Sequence, residues 1–150
     1  MLKIEILNIN DKNKYTSFIC FLKTCSWKSA GEDLIDSLEN DELTDSEKII
    51  IAYLNDEIIG FAALVNESVA EDFNETPYLD YLFVDDKHRN KGVARKLVDE
   101  IIALAKEKYN VIYLVTVSHE SFYKKLGFET IAKSTIIGCI NDCFIMKKDI

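Results

Sequence analysis

The residues best suited to bind a charged ligand lie in one short stretch in the middle of this 150-residue chain. An apolar run, YLDYLFV, is followed by a basic turn, DDKHRNKG, and then by a helical pattern that opens at Val93. The first backbone N–H groups of a helix lack internal partners and lie at the positive end of its dipole. Arg89, Gly92 and Ala94 form the pattern Arg-x-x-Gly-x-Ala, whose small residues let the backbone approach a ligand closely. The stretch therefore predicts an anion site, although Asn90 could instead cap the helix.

Positive charge is concentrated in the same turn and helix start. From Lys87 to Lys96 the chain carries five Lys or Arg residues and one His, with no acidic residue among them. The whole chain has a net charge of −8, so composition alone does not explain a compact cationic patch. A solvated helix start is one interpretation, and a phosphate-bearing ligand is the one that the loop favours. We expect no nucleic-acid partner, because binding to DNA or RNA needs an extended basic face.

The sequence lacks the dinucleotide pattern G-x-G-x-x-G and the P-loop pattern G-x-x-x-x-G-K-[ST]. The Arg-x-x-Gly-x-Ala turn after an apolar strand instead resembles the pyrophosphate loop of the GNAT superfamily of acetyl-CoA-dependent N-acetyltransferases. A second segment, FYKKLGF at residues 122–128, resembles the FYxKLGF segment of that family. One helical pattern (93–109) and one strand pattern (111–117) separate the two motifs, which is the order that the family shows.

The resemblance implies an enzyme that transfers the acetyl group of acetyl-CoA, its co-substrate, to a primary amine. Tyr123 matches the family tyrosine that protonates the leaving thiolate, and a phenol is protonated at neutral pH. Residues 82–84 would offer backbone groups to the pantetheine and the acetyl carbonyl, and Thr116 stands where many members carry a cofactor-contacting asparagine. The residues assigned to the cofactor in this way are Leu82, Phe83, Val84, Arg89, Asn90, Lys91, Gly92, Val93, Ala94, Arg95 and Thr116.

Asp80 is the candidate base that would deprotonate the amine. On a regular strand, alternate residues share one face, which here would hold Tyr78, Asp80, Leu82 and Val84. A carboxylate within an apolar strand is costly to bury unless it has a partner or a task. The family often places an acidic residue near this position. Water serves as the base in other members, and a salt bridge would equally explain Asp80.

Acidic residues dominate two segments that border the acceptor pocket in the family. Eight lie from Glu32 to Glu47, without one basic residue, and four more lie from Glu67 to Glu75. A negative rim would raise the local concentration of a cationic amine, so a polyamine or an aminoglycoside-like acceptor is the hypothesis. Solvated acidic segments that keep the protein soluble explain the same charges. A protein N-terminus or lysine as the acceptor, and a non-catalytic CoA-binding module, stay open as alternatives.

The elements that must position these residues follow an α/β order. Helices are predicted after Asp11, at 32–38, at 93–109 and at 121–126, and strands at 3–8, 48–54, 57–65, 78–84, 111–117, 129–137 and 143–147. Asn55 and Asp56 suit a tight hairpin turn. The right-handed crossover rule makes strands 78–84 and 111–117 parallel neighbours. We expect one GNAT-like domain over residues 1–150, with a mixed, twisted sheet of six or seven strands and flanking helices.

Composition places the chain among ordinary globular proteins, with 48% hydrophobic and 29% charged residues. No apolar run reaches the ~18 residues of a membrane span, and the N-terminus is no secretory signal, so we expect a cytoplasmic protein without a membrane partner. Cys20 and Cys25, and Cys139 and Cys143, are too far apart in sequence to form a Cys-x-x-Cys pair, so we expect reduced thiols and no metal. A C-terminal edge strand could pair two subunits.

Overall fold

The computed structural model describes residues 1–137 and 142–150. Its strands form one mixed sheet in the order β1-β2-β3-β4-β5-β7-β6. Strands β4 and β5 run parallel and pair Tyr78 with Tyr113, whereas β1–β2, β5–β7 and β6–β7 are antiparallel. The predicted mixed sheet and its parallel crossover are therefore confirmed. The strand bounds are β1 Leu2–Ile6, β2 Lys48–Leu54, β3 Glu57–Val65, β4 Tyr78–Val84, β5 Val111–Thr116, β6 Glu129–Thr135 and β7 Asp142–Asp149.

Within the described residues, four α-helices and one 3₁₀ turn, Asp86–His88, accompany the strands. The helix bounds are α1 Lys12–Thr24, α2 Lys28–Glu39, α3 Val93–Ala105 and α4 Glu120–Lys125. The side chain of Asp11 accepts a hydrogen bond from the Lys14 backbone N–H at 3.2 Å, so it caps α1 as predicted.

Two helices differ from their predicted bounds by more than one residue at an end, whereas α4 is shifted by one residue. Helix α2 begins at Lys28, four residues before the prediction, and contains Gly31. A Cβ at Gly31 would lie 2.4 Å from the Leu22 carbonyl oxygen, so close packing on α1 explains a glycine that helical propensity alone disfavours. Helix α3 ends at Ala105 rather than at residue 109. The N–H groups of Glu107 and Lys108 bond to carbonyls three residues back, so the chain tightens there.

The β2–β3 hairpin forms as the sequence predicts. Asn55 and Asp56 have φ of +50° and +70°, the left-handed pair that a tight hairpin turn requires. Strand β4 is less regular than predicted, because Tyr81 inside it has φ of +54°. A left-handed residue breaks the alternation of side chains, and such residues are typical of β-bulges. The prediction of one continuous face through β4 is therefore wrong.

Strand β5 also differs from expectation. The apolar run predicted a strand covered on both faces, but burial alternates along it, with Val111, Tyr113 and Val115 partly exposed. Valine and tyrosine favour strands whether or not both faces are covered, so the apolar composition of β5 could not show that one of its faces is partly exposed.

The chain folds as two compact units, residues 1–63 with 81–98 and residues 64–80 with 99–150. The core of the first unit contains an aromatic group in which Phe61 lies edge-on to Phe18 at 5.7 Å and stacks on Phe83 at 5.3 Å. The core of the second unit includes Ile112, Leu114, Ile145 and Met146, which are at most 1% exposed. The predicted site residues are thereby distributed over both units.

Two thiols, those of Cys25 and Cys143, are buried and free, and Cys20 is free and exposed. Cys139 lies outside the described residues, so its predicted state is not addressed by the structure. Over residues 1–137 and 142–150, no helix combines the length and apolar character that crossing a bilayer requires. Strands β1 and β6 form the two edges of the sheet.

Candidate functional site

The loop between β4 and α3 has the backbone that the sequence predicts for an anion site. Gly92 has φ of +81° and directly precedes α3, and its carbonyl accepts the first helical hydrogen bond, from Lys96, at 3.2 Å. Nothing lies within 4 Å of a Cβ built at Gly92, so glycine is needed there for its φ and not because of crowding. Asn90 is also left-handed, at φ +62°, and lies before the glycine. The residue at the start of α3 therefore has no side chain with which to occupy the N–H groups.

Lys87 and Lys91 in this loop, and Arg95 and Lys96 in the first turn of α3, have exposed cationic side chains. They lie near a helix start that itself favours anions, which is consistent with the predicted pyrophosphate site.

Arg89 has a structural role in the same loop. Its Nε donates to the Val84 carbonyl at 2.8 Å, and its guanidinium lies 3.1 Å from the Asp86 carboxylate and over the Phe83 ring. Arg89 therefore ties the end of β4 to the turn. Its contact with phosphate stays a prediction.

The end of β4 is held closely against β3 in the first unit. The Asp85 N–H donates to the Ile59 carbonyl at 2.7 Å, and a Cβ at Gly60 would lie 2.5 Å from the Phe83 carbonyl oxygen. Phe83 and Val84 have buried side chains, and Leu82 is partly exposed. This burial suits the prediction that residues 82–84 serve a ligand through backbone groups.

Tyr123 lies in the second unit, near the end of the short helix α4. Its carbonyl accepts hydrogen bonds from Leu126 N–H at 3.0 Å and Phe128 N–H at 3.1 Å. Its ring lies edge-on to Phe122 and Phe128, at centroid distances of 5.1 and 5.9 Å. Burial, and secondly the charge of Asp80, raise the pKa of Tyr123 to about 12. The phenol is thus protonated at neutral pH and available as a hydrogen-bond donor.

Thr116 supports the approach to α4. It is buried, and its hydroxyl accepts the His119 N–H at 3.1 Å, while the His119 carbonyl accepts the Tyr123 N–H at 3.3 Å. Thr116 therefore holds the turn that leads to Tyr123, a role that the sequence did not indicate. The His119 side chain is exposed.

Asp80 is partly buried and borders a small cavity of about 10 Å³ in the second unit. The cavity is also lined by Glu67, Ser68 and Tyr78, among others. Burial raises the pKa of Tyr78 and the Ser68 hydroxyl opposes this effect, yet the Tyr78 hydroxyl has no hydrogen-bond partner of normal geometry within the described part of the chain. The cavity therefore has two acidic residues and a buried tyrosine in its lining. Sequence reasoning placed Tyr78 on the same strand face as Asp80 without giving it a role, and it missed Ser68, for which the sequence offers no signal.

The acidic loop, residues 66–77, is anchored at its centre. Ala70 is buried and bridges to Ile136, and the Glu71 N–H donates to the Thr135 carbonyl at 2.9 Å. The Glu71 carboxylate accepts a hydrogen bond from the Thr135 hydroxyl at 3.0 Å. Three further acidic side chains of this loop, those of Glu67, Asp72 and Glu75, are exposed.

A larger concavity, of about 440 Å³, lies elsewhere in the first unit and is lined by Lys3, Glu5, Lys14 and Tyr53, among others. It contains no predicted site residue. Among the described residues, no group of three or more His, Cys, Asp or Glu side chains could hold a metal ion.

A family model, the acetyltransferase (GNAT) family, matches residues 13–128, which is most of the chain. The chain belongs to the GNAT family. This acetyltransferase is therefore an acyltransferase with acetyl-CoA as its co-substrate.

Solved structures agree with the family assignment. A GNAT acetyltransferase from Staphylococcus aureus Mu50 is 24% identical, with 99% of each chain covered and a TM-score of 0.67. An aminoglycoside 6′-N-acetyltransferase complexed with coenzyme A is 17% identical, with 98% of this chain and 96% of that chain covered and a TM-score of 0.74. A candidate streptothricin acetyltransferase from Bacillus anthracis strain Ames, in complex with acetyl coenzyme A, is 26% identical over 74% of this chain and 67% of that chain, with a TM-score of 0.61. No curated protein matches this GNAT chain in sequence.

Proposed function

We propose that this GNAT enzyme acetylates a primary amine of a small cationic acceptor, of the polyamine or aminoglycoside-like class. The observation that carries the proposal is the state of Tyr123, a phenol held by Phe122 and Phe128 whose pKa is raised to about 12. A group that stays protonated at neutral pH can donate its proton when the thiolate leaves.

The loop from Arg89 to Arg95 would hold the pyrophosphate of acetyl-CoA. Backbone N–H groups at the start of α3 and the exposed Lys91 and Arg95 supply the positive charge that the phosphates need. Backbone groups of residues 82–84 would receive the pantetheine and the acetyl carbonyl, because two of the three side chains are buried.

The reaction transfers one acetyl group and moves one proton from nitrogen to sulfur. The amine nitrogen forms a bond to the acetyl carbon, the carbon–sulfur bond breaks, the nitrogen loses a proton and the sulfur gains one. A thiol, with an ordinary pKa of about 8.5, is a stronger acid than Tyr123. Tyr123 would therefore pass its proton to the departing sulfur only as the phenol regains one from the positively charged, strongly acidic nitrogen of the tetrahedral adduct, so that the sulfur ends with the proton that the nitrogen loses.

Asp80 is the residue that would receive the separate proton that the acceptor's ammonium group loses before it attacks, and it would release that proton to solvent. The cavity beside it, of about 10 Å³, is close to the size that one water molecule needs. A water in that cavity would have the Asp80 carboxylate and the buried Tyr78 hydroxyl as partners, and it would relay the proton from an amine that does not touch Asp80 itself.

The acceptor class is supported by charge and by the similar structures. Most of the acidic side chains in residues 32–47, and those of Glu67, Asp72 and Glu75, are exposed, so their field can attract a cationic amine. One of the similar structures is an aminoglycoside 6′-N-acetyltransferase, and another is a candidate streptothricin acetyltransferase. Acetylation of a protein N-terminus or lysine is the alternative that uses the same machinery. A cytoplasmic location, and a homodimer paired through the β6 edge, belong to the same proposal.

The test is acetyl-CoA turnover with a panel of polyamines, aminoglycosides, amino acids and peptides, read as acetylated product by mass. Tyr123→Phe should lower kcat by roughly 100-fold or more with the best acceptor. Tyr109→Phe, which removes a hydroxyl outside the predicted site, is the matched control. Equal turnover in the wild type and Tyr123→Phe would remove Tyr123 from the mechanism. Turnover with peptides but with no small amine would show that the acceptor is a protein. Binding of acetyl-CoA without turnover of any acceptor would favour a non-catalytic binding module.

A further inference from the structure

The single tryptophan of the chain occupies a position that helix stability does not explain. Trp27 stands at the N-cap of α2, where its side chain makes no capping hydrogen bond, and it is 39% exposed. Ser, Thr, Asp or Asn is preferred at an N-cap, and large aromatic side chains are usually well buried. An exposed indole at this position therefore requires another explanation.

The backbone that carries the indole is well anchored. The Trp27 carbonyl accepts the Gly31 N–H at 3.1 Å and the buried Cys25 thiol at 3.5 Å. Gly31 packs directly on the Leu22 carbonyl, which holds α2 against α1. The indole is thus presented from a rigid helix junction.

Tyr81, in the same unit, faces this tryptophan. The two ring centroids are 6.3 Å apart and the ring planes are inclined at 47°. Tyr81 also has φ of +54° inside a strand, a conformation that costs a bulky residue free energy and is concentrated at functional sites. In the chain it stands between Asp80, the candidate base, and Leu82, a candidate cofactor residue. The strained backbone therefore orients the Tyr81 ring toward Trp27 at the segment where the chemistry is expected.

The negative charge near Trp27 and Tyr81 favours a cationic ligand. Helix α2, which Trp27 begins, carries the exposed carboxylates of Glu32, Asp33 and Asp36. Aromatic faces attract cations, tryptophan most strongly, and nearby carboxylates strengthen that attraction. An anionic or purely apolar ligand would gain nothing from those carboxylates.

We propose that Trp27 and Tyr81 form a cation-recognition surface for the non-reacting ammonium group of a diamine or polyamine acceptor. The inference rests on the proposed function and narrows its substrate class. The reacting nitrogen must be neutral to attack, so a charge that the aromatic rings recognise has to come from a second amine of the same molecule. Acceptors with two separated amines are therefore preferred over monoamines of the same length.

The kinetic test compares 1,4-diaminobutane with butylamine as acceptors in the wild type, Trp27→Leu, Trp27→Phe and Tyr81→Asn. Asparagine tolerates the left-handed backbone, so Tyr81→Asn removes the ring without new strain. The ratio of kcat/KM for the diamine to that for the monoamine should fall roughly 3- to 30-fold in Trp27→Leu and in Tyr81→Asn. It should recover largely in Trp27→Phe, while the KM for acetyl-CoA stays unchanged. An unchanged ratio in Trp27→Leu would overturn the surface while turnover itself upholds the proposed function.

A binding measurement separates the two proposals. Because Trp27 is the sole tryptophan, its fluorescence reports directly on this surface. Titration with 1,4-diaminobutane should change the emission saturably, and titration with 1,4-butanediol, which has the same length but no charge, should not. A saturable change without turnover of any amine would support the surface and overturn the proposed function. No change with the diamine, or an equal change with the diol, would overturn the surface whether or not turnover is found.

Discussion

The ammonium group of Lys148 lies 2.8 Å from the Leu126 carbonyl oxygen and donates a hydrogen bond to it, although 22 residues separate the two in sequence. Leu126 is the C-cap of α4, so its carbonyl has no hydrogen-bond partner within the helix. The Lys148 ammonium group supplies a donor to this carbonyl and a positive charge at the negative end of the helix dipole. The Lys148 side chain also covers Gly127, which has φ of +94°. Strand β7 thereby holds the turn that follows Tyr123.

Replacing Lys148 with methionine, which keeps the aliphatic length, should remove this support. We expect the free energy of unfolding to fall by about 1–2 kcal/mol, because a charge-assisted hydrogen bond is lost at a partly exposed site. Activity should fall through kcat, since the Tyr123 ring loses its fixed position. Denaturation midpoints and steady-state kinetics measure both effects. Lys147→Met, at a neighbouring strand position, is the control, and equal effects of the two changes would contradict the assignment.

The raised pKa of Tyr123 predicts its pH dependence. Because the folded-state pKa is about 12, above the usual value near 10, the phenol stays protonated throughout neutral and mildly alkaline pH. Its contributions to activity and to stability are complete below pH ~10 and are lost as the pH rises toward 12. The ratio of wild-type to Tyr123→Phe kcat should therefore be constant from about pH 6 to 10. A ratio that declines within this range would show that the acidic group is a different one.

Gly92 offers a test of the loop backbone. Gly92→Ala should lower stability by about 1–2 kcal/mol and raise the KM for acetyl-CoA, because alanine resists φ of +81° although the space is open. Asparagine tolerates the left-handed region, so Gly92→Asn should have a stability and a KM for acetyl-CoA much closer to those of the wild type. Gly60→Ala makes an instructive contrast, since its Cβ would meet the Phe83 carbonyl at 2.5 Å and should destabilise the fold far more. Equal stability of Gly92→Ala and Gly92→Asn would refute the conformational argument.

Arg89 and Lys91 should respond differently to neutralisation. Arg89→Gln removes the hydrogen bond to the Val84 carbonyl and the ion pair with Asp86, so it should lower thermal stability by several degrees. Lys91→Gln, at an exposed position, should leave stability unchanged while raising the KM for acetyl-CoA and reducing its salt dependence. Lys108→Gln is the control for a general effect of charge. A stable Arg89→Gln variant with a raised KM would make Arg89 a phosphate ligand.

The acidic loop should act through its exposed carboxylates. The Glu71 carboxylate accepts a hydrogen bond from Thr135, so Asp72 and Glu75 are better targets for testing long-range attraction. The double change Asp72→Asn with Glu75→Gln should raise the acceptor KM a few-fold at low salt and weaken its increase with ionic strength. The matched double change Glu100→Gln with Glu107→Gln, at exposed positions in and just after α3, should not. The same effect from both doubles would indicate net charge rather than this loop.

The sequence predicted those features in which local preference and tertiary packing agree. The bounds of β4, the Asn55–Asp56 turn and the Asp11 cap follow from strand formers, left-handed residues and a capping carboxylate, each of which acts over a few residues. The glycine turn before α3 is also a local feature, because Gly92 is required for its left-handed φ and not for a contact with a distant segment.

Other features were decided by contacts between distant segments. The start of α2 depends on the packing of Gly31 against the Leu22 carbonyl, which helical propensity cannot anticipate. The hydrogen bond between Lys148 and Leu126, and the anchoring of Ala70 by Ile136, join residues that no periodicity connects.

Residue types and their spacing were sufficient to predict the glycine turn before α3 and its positive charge, and the family resemblance pointed to Tyr123; the left-handed φ of Gly92 is confirmed, while anion binding and the role of Tyr123 stay predictions. The left-handed backbone of Tyr81, the cavity beside Asp80 and the raised pKa of Tyr123 were decided only by tertiary structure. Strain, cavity volume and desolvation are set by the atoms that surround a residue, and the folded chain brings those atoms from several separate elements.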